Sequence, residues 1–285
     1  MDNSPGQTPI QPFFDAYAAS VVAPVDDLLQ VLEDLTPGAF YRQLKRVPNG
    51  YAHGYALNDP DGQLGQIWWG GAFPHPHASF QGHASHAAAM LLRECFPGHA
   101  VSRCDPVLID SMQPGAYDVL QDTCTAVARE MRIKVGTAGD HLVTLEGRTL
   151  YLGATKSGVR LRLYDKAAER RAKLNDPAKL ASLPASWARV EAQIRPHGRD
   201  ARTAASTASP MALLGSARWL QALALSITGL DVPRFQASPA WRQSDHDRAY
   251  RAMLKQYGST LRQVLGDAGS PECFGLQLAD DLRRM

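Results

Sequence analysis

Two short stretches in the second half of the chain alternate between polar and hydrocarbon side chains, the first of them as far as Tyr164. In Val159-Arg160-Leu161-Arg162-Leu163-Tyr164-Asp165-Lys166 the polar set is Arg160, Arg162, Tyr164 and Lys166. In Arg189-Val190-Glu191-Ala192-Gln193-Ile194-Arg195 it is Arg189, Glu191, Gln193 and Arg195. Successive side chains of a strand point to opposite faces, so each set shares one face and the apolar residues share the other. A period of two with one apolar face describes a sheet buried on one side only, which antiparallel sheets tolerate. A third stretch, Ala100–Asp110, sets Arg103 and Asp105 on one face in the same way.

The elements around these strands follow an order. Residues 1–12 read as a loose arm, 13–22 as a strand and 24–35 as a helix with early acids and a proline at its start. Strands are expected at 50–57 and 65–71, a helix at 85–96 and a strand at 100–110. The series then runs again: helix 115–132, strands 148–153 and 159–165, helix 166–174 and strand 186–195. That order predicts an α+β fold, an antiparallel sheet built from two ferredoxin-like βαββαβ pseudo-repeats, about 13–110 and 100–197, with helices on one face. A catalytic domain is thus expected over 1–200 and a helical region over 205–285, joined by a linker at 198–210 rich in Ala, Ser and Thr.

The 285 residues suffice to bury a substantial core. The opening residues show no secretory signal and no apolar run reaches membrane-spanning length, so a cytoplasmic protein is expected. Cys95, Cys104, Cys124 and Cys273 are far apart and lack C-x-x-C spacing, which predicts reduced thiols and neither zinc nor disulfides. Net charge is only +2, but it is unevenly placed. From Lys156 to Arg202 there are twelve Lys or Arg against five Asp or Glu, while the rest of the chain carries eighteen against twenty-three. Such a block is either a phosphate-binding surface or a solvated face.

If the three alternating strands belong to one sheet, a tyrosine, two carboxylates and several guanidinium groups converge on one side. Carboxylates hold Mg²⁺ or Mn²⁺ through hard oxygen ligands, and such an ion polarises a phosphodiester. Tyrosine is a weak nucleophile until nearby positive charge favours its phenolate. Arg160, Arg162 and Lys166 supply that charge and grip phosphates. The bland reading of the same face is a set of solvent-exposed cross-strand Arg–Glu pairs.

Beyond the pattern itself, Arg148-Thr149-Leu150-Tyr151-Leu152-Gly153, Lys156-Ser157-Gly158 and Arg162-Leu163-Tyr164-Asp165-Lys166-Ala167-Ala168-Glu169 resemble the replication initiation factor family. So do Ser102–Asp105 upstream and Arg189–Glu191 downstream. The family comprises rolling-circle initiators of filamentous phages and plasmids and related relaxases. The resemblance covers about Val101 to Arg195. It implies an endonuclease that nicks single-stranded or hairpin origin DNA in a bacterial cytoplasm, leaving a 5′-phosphotyrosine and a free 3′ hydroxyl for host polymerase and helicase. On this resemblance Tyr164 is the nucleophile, assisted by Arg162 and Lys166, with Glu169 nearby. Asp105 and Glu191 are metal ligands for Mg²⁺ or Mn²⁺, and Arg160, Arg189, Arg195 and Arg103 are DNA-binding. A homodimer is expected. Where the family carries a second Asp this chain has Ile109, and Asp110 can join the ligands only if a bulge near Pro106 turns it round.

Tyr151 is the alternative nucleophile, a base-stacking ring, or a core tyrosine. His75, His77, His83 and His86 are read as loop and helix-start residues rather than as a metal site. Lys255–Arg262 lies between helical stretches, as a helical hairpin or a helix-turn-helix. Two other functions fit the same residues: a non-catalytic DNA-binding regulator, and a metal-dependent nuclease that uses water.

Overall fold

The alternating stretches lie side by side in the computed structural model, which describes residues 12–36, 38–60, 62–237 and 245–284. Most of the expected N-terminal arm lies outside the described residues. Among the described residues ten strands form one sheet. They are β1 (Phe14–Ser20), β2 (Phe40–Gln43), β3 (His53–Asp59), β4 (Gly62–Trp69), β5 (His77–Gln81), β6 (Ala100–Ser111), β7 (Val135–Ala138), β8 (Thr149–Leu152), β9 (Val159–Asp165) and β10 (Ala188–Ile194). Their order is β2-β3-β4-β5-β1-β6-β10-β9-β8-β7, and every neighbouring pair is antiparallel.

Helices α1 (Val25–Glu33), α2 (Ala84–Cys95) and α3 (Ala116–Glu130) follow β1, β5 and β6. The fold is therefore α+β, and both halves run strand, helix, strands, helix, strand, sharing β6. The halves differ in detail. In the first, α2 carries the chain from β5 over β1 to β6, while β2 and β3 add a hairpin at the sheet edge. In the second, β9 and β10 are direct neighbours. The chain between them forms α4 (Lys166–Lys173) and α5 (Pro177–Ala181), beginning directly where β9 ends.

The apolar face of the strands is the core. Leu161 and Leu163 of β9 and Val190, Ala192 and Ile194 of β10 are buried in one cluster with Leu28, Leu92, Leu120 and Leu223 from the helices. The expected linker is instead helix α6 (Arg199–Thr207), which buries Ala201, Ala205 and Ser206. It packs on β6, and α7 (Pro210–Leu213) and α8 (Arg218–Thr228) follow. Contacts accordingly divide the chain at 239/240, not near 200. The second unit contains α9 (Asp245–Ala268) and α10 (Pro271–Arg284), which pack on each other. Lys255–Arg262 lies inside the continuous helix α9, so it is neither a turn nor a helix-turn-helix. Among the described residues no helix is long and apolar enough to cross a membrane.

Candidate functional site

Register brings the polar set together. Arg162 lies opposite Glu191, Tyr164 opposite Arg189, and Gln193 opposite Arg160. Arg162 donates to Glu191 Oε1 from Nε at 2.9 Å and from Nη2 at 2.6 Å. The Tyr164 hydroxyl donates to the other oxygen of the same carboxylate, at 3.1 Å. The Arg162 guanidinium also lies over the Tyr164 ring, 4.1 Å from its centroid, and Lys166 Nζ is 5.5 Å from it. Tyr164 is 3% exposed and Glu191 2%. Burial raises the Tyr164 pKa well above its ordinary value, and the adjacent Glu191 charge raises it further.

The acids crowd one another. Burial pushes Glu191 up to about 7, against the pull of Arg162, and the charges of Asp15 and Asp105 push the same way as burial. Asp105 is likewise raised, chiefly by burial and also by Asp15, while its ion pair with Arg103 opposes both. Arg103 Nε reaches Asp105 Oδ1 at 2.9 Å.

Asp15 was not expected from the sequence. Phe14 pairs with Pro106 and Ala16 with Asp105, so Asp15 is the extra residue of a bulge. Simple alternation would have put it on the face of Tyr17, which is fully buried in the core. Instead it accepts from Arg189 Nη1 at 2.6 Å on the polar face. Trp187, also unforeseen, donates to Asp110 Oδ1 at 2.5 Å.

A second register shift decides where Asp110 goes. Val190 pairs with Ile109 and Glu191 with Val107, which leaves Leu108 as the extra residue. The bulge is thus two residues beyond Pro106, and it does turn Asp110 onto the polar face, opposite Arg189. There Arg189 holds it with Nε at 2.9 Å and Nη2 at 2.8 Å. Arg189 is 6% exposed and its guanidinium is shared between Asp15 and Asp110.

The remaining expected residues are near but differently placed. Lys166 opens α4, where Asp165 caps the helix by accepting from Ala168 N at 2.9 Å. Lys166 is mostly buried and pairs with Glu169 at 2.6 Å. Two lysines, Lys166 and Lys173, hold Glu169 down to about 2 despite its partial burial. Arg160 lies over the Tyr151 ring at 3.8 Å, and Arg195 is exposed at the end of β10. Among the histidines, His83 faces Asp59 at 3.4 Å while His77 stacks on Trp68 with ring centroids 5.3 Å apart.

Six of the charged side chains, Asp15, Arg103, Asp105, Arg162, Lys166 and Arg189, help to line a groove of about 920 Å³. Among the described residues, no three His, Cys, Asp or Glu side chains are grouped closely enough to hold a metal ion. The carboxylates of Asp15, Asp105 and Glu191 are hard oxygen donors of the kind Mg²⁺ and Mn²⁺ take, and each is here ion-paired with an arginine.

No family model matches the chain, and no curated protein sequence matches it. Among solved structures it is similar to the rolling circle replication initiator protein from Geobacillus stearothermophilus. The identity is 15%, the TM-score 0.51, and the match covers 80% of this chain and 99% of that one. The likeness is one of fold.

Proposed function

We propose that this chain nicks and rejoins single-stranded DNA to start rolling-circle replication, with Tyr164 as the nucleophile. The hydrogen bond from the Tyr164 hydroxyl to Glu191 carries the reading, because it pairs the attacking oxygen with an acceptor that burial makes basic. Glu191 takes the phenolic proton as the phenolate oxygen bonds to phosphorus. The bond from phosphorus to the 3′ oxygen breaks, and that oxygen leaves with the bonding electron pair and takes a proton from solvent, giving the free hydroxyl that primes synthesis. Arg162 stabilises the phenolate from the ring face, and Arg103, Arg162 and Lys166 line the groove where the phosphate sits. Arg189 positions Asp15 and Asp110. Asp105 and Glu191, with Asp15 beside them, would hold Mg²⁺ or Mn²⁺, which polarises the scissile phosphate when bound. The fold likeness to a rolling circle initiator supports the reading. Origin DNA is then the substrate, and host helicase and polymerase use the 3′ end. Assembly as a homodimer and a cytoplasmic location in a bacterial host belong to the same proposal.

One observation favours the alternative, a non-catalytic DNA-binding protein on the same scaffold. Tyr164 is nearly buried beneath Arg162, so attack requires that guanidinium to swing towards the incoming phosphate. A covalent adduct separates the two. Oligonucleotides labelled at the 3′ end and carrying the replicon's origin are incubated with the protein and Mg²⁺ or Mn²⁺. Label should travel with the protein through denaturing electrophoresis. Tyr164→Phe should abolish the adduct and keep DNA affinity, whereas an adduct lost only in Tyr151→Phe moves the nucleophile to β8. Absence of any adduct with the wild-type chain leaves the binding protein.

A further inference from the structure

The face of the sheet that carries the groove does not end with it. Ser79 and His77 of β5 stand opposite Ala18 and Ser20 of β1, and Trp68 stands opposite His77. Directly paired residues share a face, and Ala18 is in turn paired with Arg103. Trp68, His77 and Arg103 therefore all belong to the open face. There Trp68 and His77 stack nearly parallel, with 11° between planes, and Tyr51 is 6.1 Å from Trp68. Phe73 stacks on Tyr51 at 4.6 Å and is itself 43% exposed. By register Ala56, Gln66, Ser79 and Ala18 share this face with the rings. A cluster of rings with Phe73 exposed is an unusual surface for a sheet to leave to water, since apolar rings gain by being covered.

We propose that Tyr51, Trp68 and Phe73 form a base-stacking platform for single-stranded DNA, adjoining the groove and resting on the function proposed above. Three features point to bases as the occupant. The platform and the groove share one open face, so a strand whose phosphates lie along Arg103 and Arg162 can lay its bases across β1, β5 and β4. Strands are about 4.8 Å apart, and the five steps from β9 to β4 span about 24 Å, room for several nucleotides. His77, stacked on Trp68, is held neutral, its pKa lowered to about 4 by burial and by the charge of Arg202. The ring cluster therefore suits the uncharged faces of bases while the neighbouring groove takes the phosphates. Stacking of this kind ignores sequence, because every base presents a π face.

The test compares two ligands by fluorescence anisotropy on the full chain: an oligothymidylate and an abasic oligonucleotide of the same length. The two share phosphates and differ in bases. The wild-type chain should prefer the oligothymidylate. Phe73→Ala and Trp68→Ala should each lose about five- to one-hundred-fold in affinity for it and leave the abasic affinity and the salt dependence unchanged. Phe73 is exposed enough that its loss leaves the fold intact, which circular dichroism verifies. Equal affinity of the wild-type chain for both ligands overturns the platform, and so does an unchanged oligothymidylate affinity in both variants. Adduct formation through Tyr164 is scored separately, so the platform can fail while the nickase stands, and the reverse.

Discussion

Arg189 neutralises two carboxylates at once and has almost no access to water. Replacing it by Ala would leave Asp15 and Asp110 facing each other without a counter-charge. Removing one partner of a buried ion pair costs about 3–5 kcal/mol, so Arg189→Ala should lower the urea midpoint by that equivalent. Adding Asp15→Asn and Asp110→Asn should recover most of the loss. A single variant as stable as the wild type would refute the buried network. Glu191 makes a prediction of opposite kind. Its folded pKa of about 7 lies above the ordinary carboxylate value, so the native state holds the proton more tightly than the unfolded one. The stability it contributes is present at acid pH and is lost as pH rises through about 7. Adduct formation should move the other way, rising with pH as the ionised acceptor appears, and a metal held by Glu191 should shift that rise to lower pH. Glu191→Gln should lower the adduct rate by about 10²- to 10⁴-fold and flatten that rise, read from initial rates across pH at fixed metal.

Edges and bulges mark where the elements parted from their sequence patterns. β2 and β7 close the two ends of the sheet, and their residues are exposed or half-exposed throughout. Without a buried face they show no alternation, and neither strand was expected. β5 was hidden by Pro74 and Pro76, which read as loop although His77–Gln81 pairs on both sides. α6 was missed because Ala, Ser and Thr read as a linker; its alanines find β6, a contact no local pattern announces. The converging set Arg162, Tyr164, Glu191 was legible because β9 and β10 alternate without interruption. Asp15 was not, because a bulge reverses the face that period two assigns. A tighter element-level constraint sits in β4. A Cβ on Gly65 would come within 2.4 Å of the Phe80 ring and 2.7 Å of the Ser79 carbonyl oxygen. Gly65→Ala should therefore cost about 1–3 kcal/mol, as overpacking does. Gly136→Ala on β7 meets nothing within 4 Å and should change stability little or raise it. Equal thermal midpoints for the two variants would contradict the packing of β4 on β5.

At the scale of the whole molecule, charge and shape divide the labour between the sheet's two faces. The helical face holds the hydrocarbon, and the open face collects the arginines, the tyrosine and the acids. A net charge of +2 hides this, because the basic block between Lys156 and Arg202 is offset by acids elsewhere. If the polar face of β9 and β10 is the DNA track, affinity should fall with salt as counterions are released from the strand. Each phosphate contacted contributes about −0.7 to the slope of log K against log salt for single strands. Four cations of this block, Arg160, Arg162, Lys166 and Arg195, predict a slope near about −3 if each meets one phosphate. The structure ranks them. Arg195 is exposed, whereas Arg162 is bound to Glu191 and Lys166 to Glu169, so these two must trade a carboxylate for a phosphate. Arg195→Ala should thus flatten the slope by about 0.7 with no other change. Arg162→Ala should flatten it as much and also free Glu191 from its main counter-charge, raising the pH at which adduct formation begins. Sequence preference should survive all four substitutions, because phosphate contacts place a strand without reading it. A slope unmoved by Arg162→Ala and Arg195→Ala together would put the DNA elsewhere and leave the groove's arginines as partners of its acids alone.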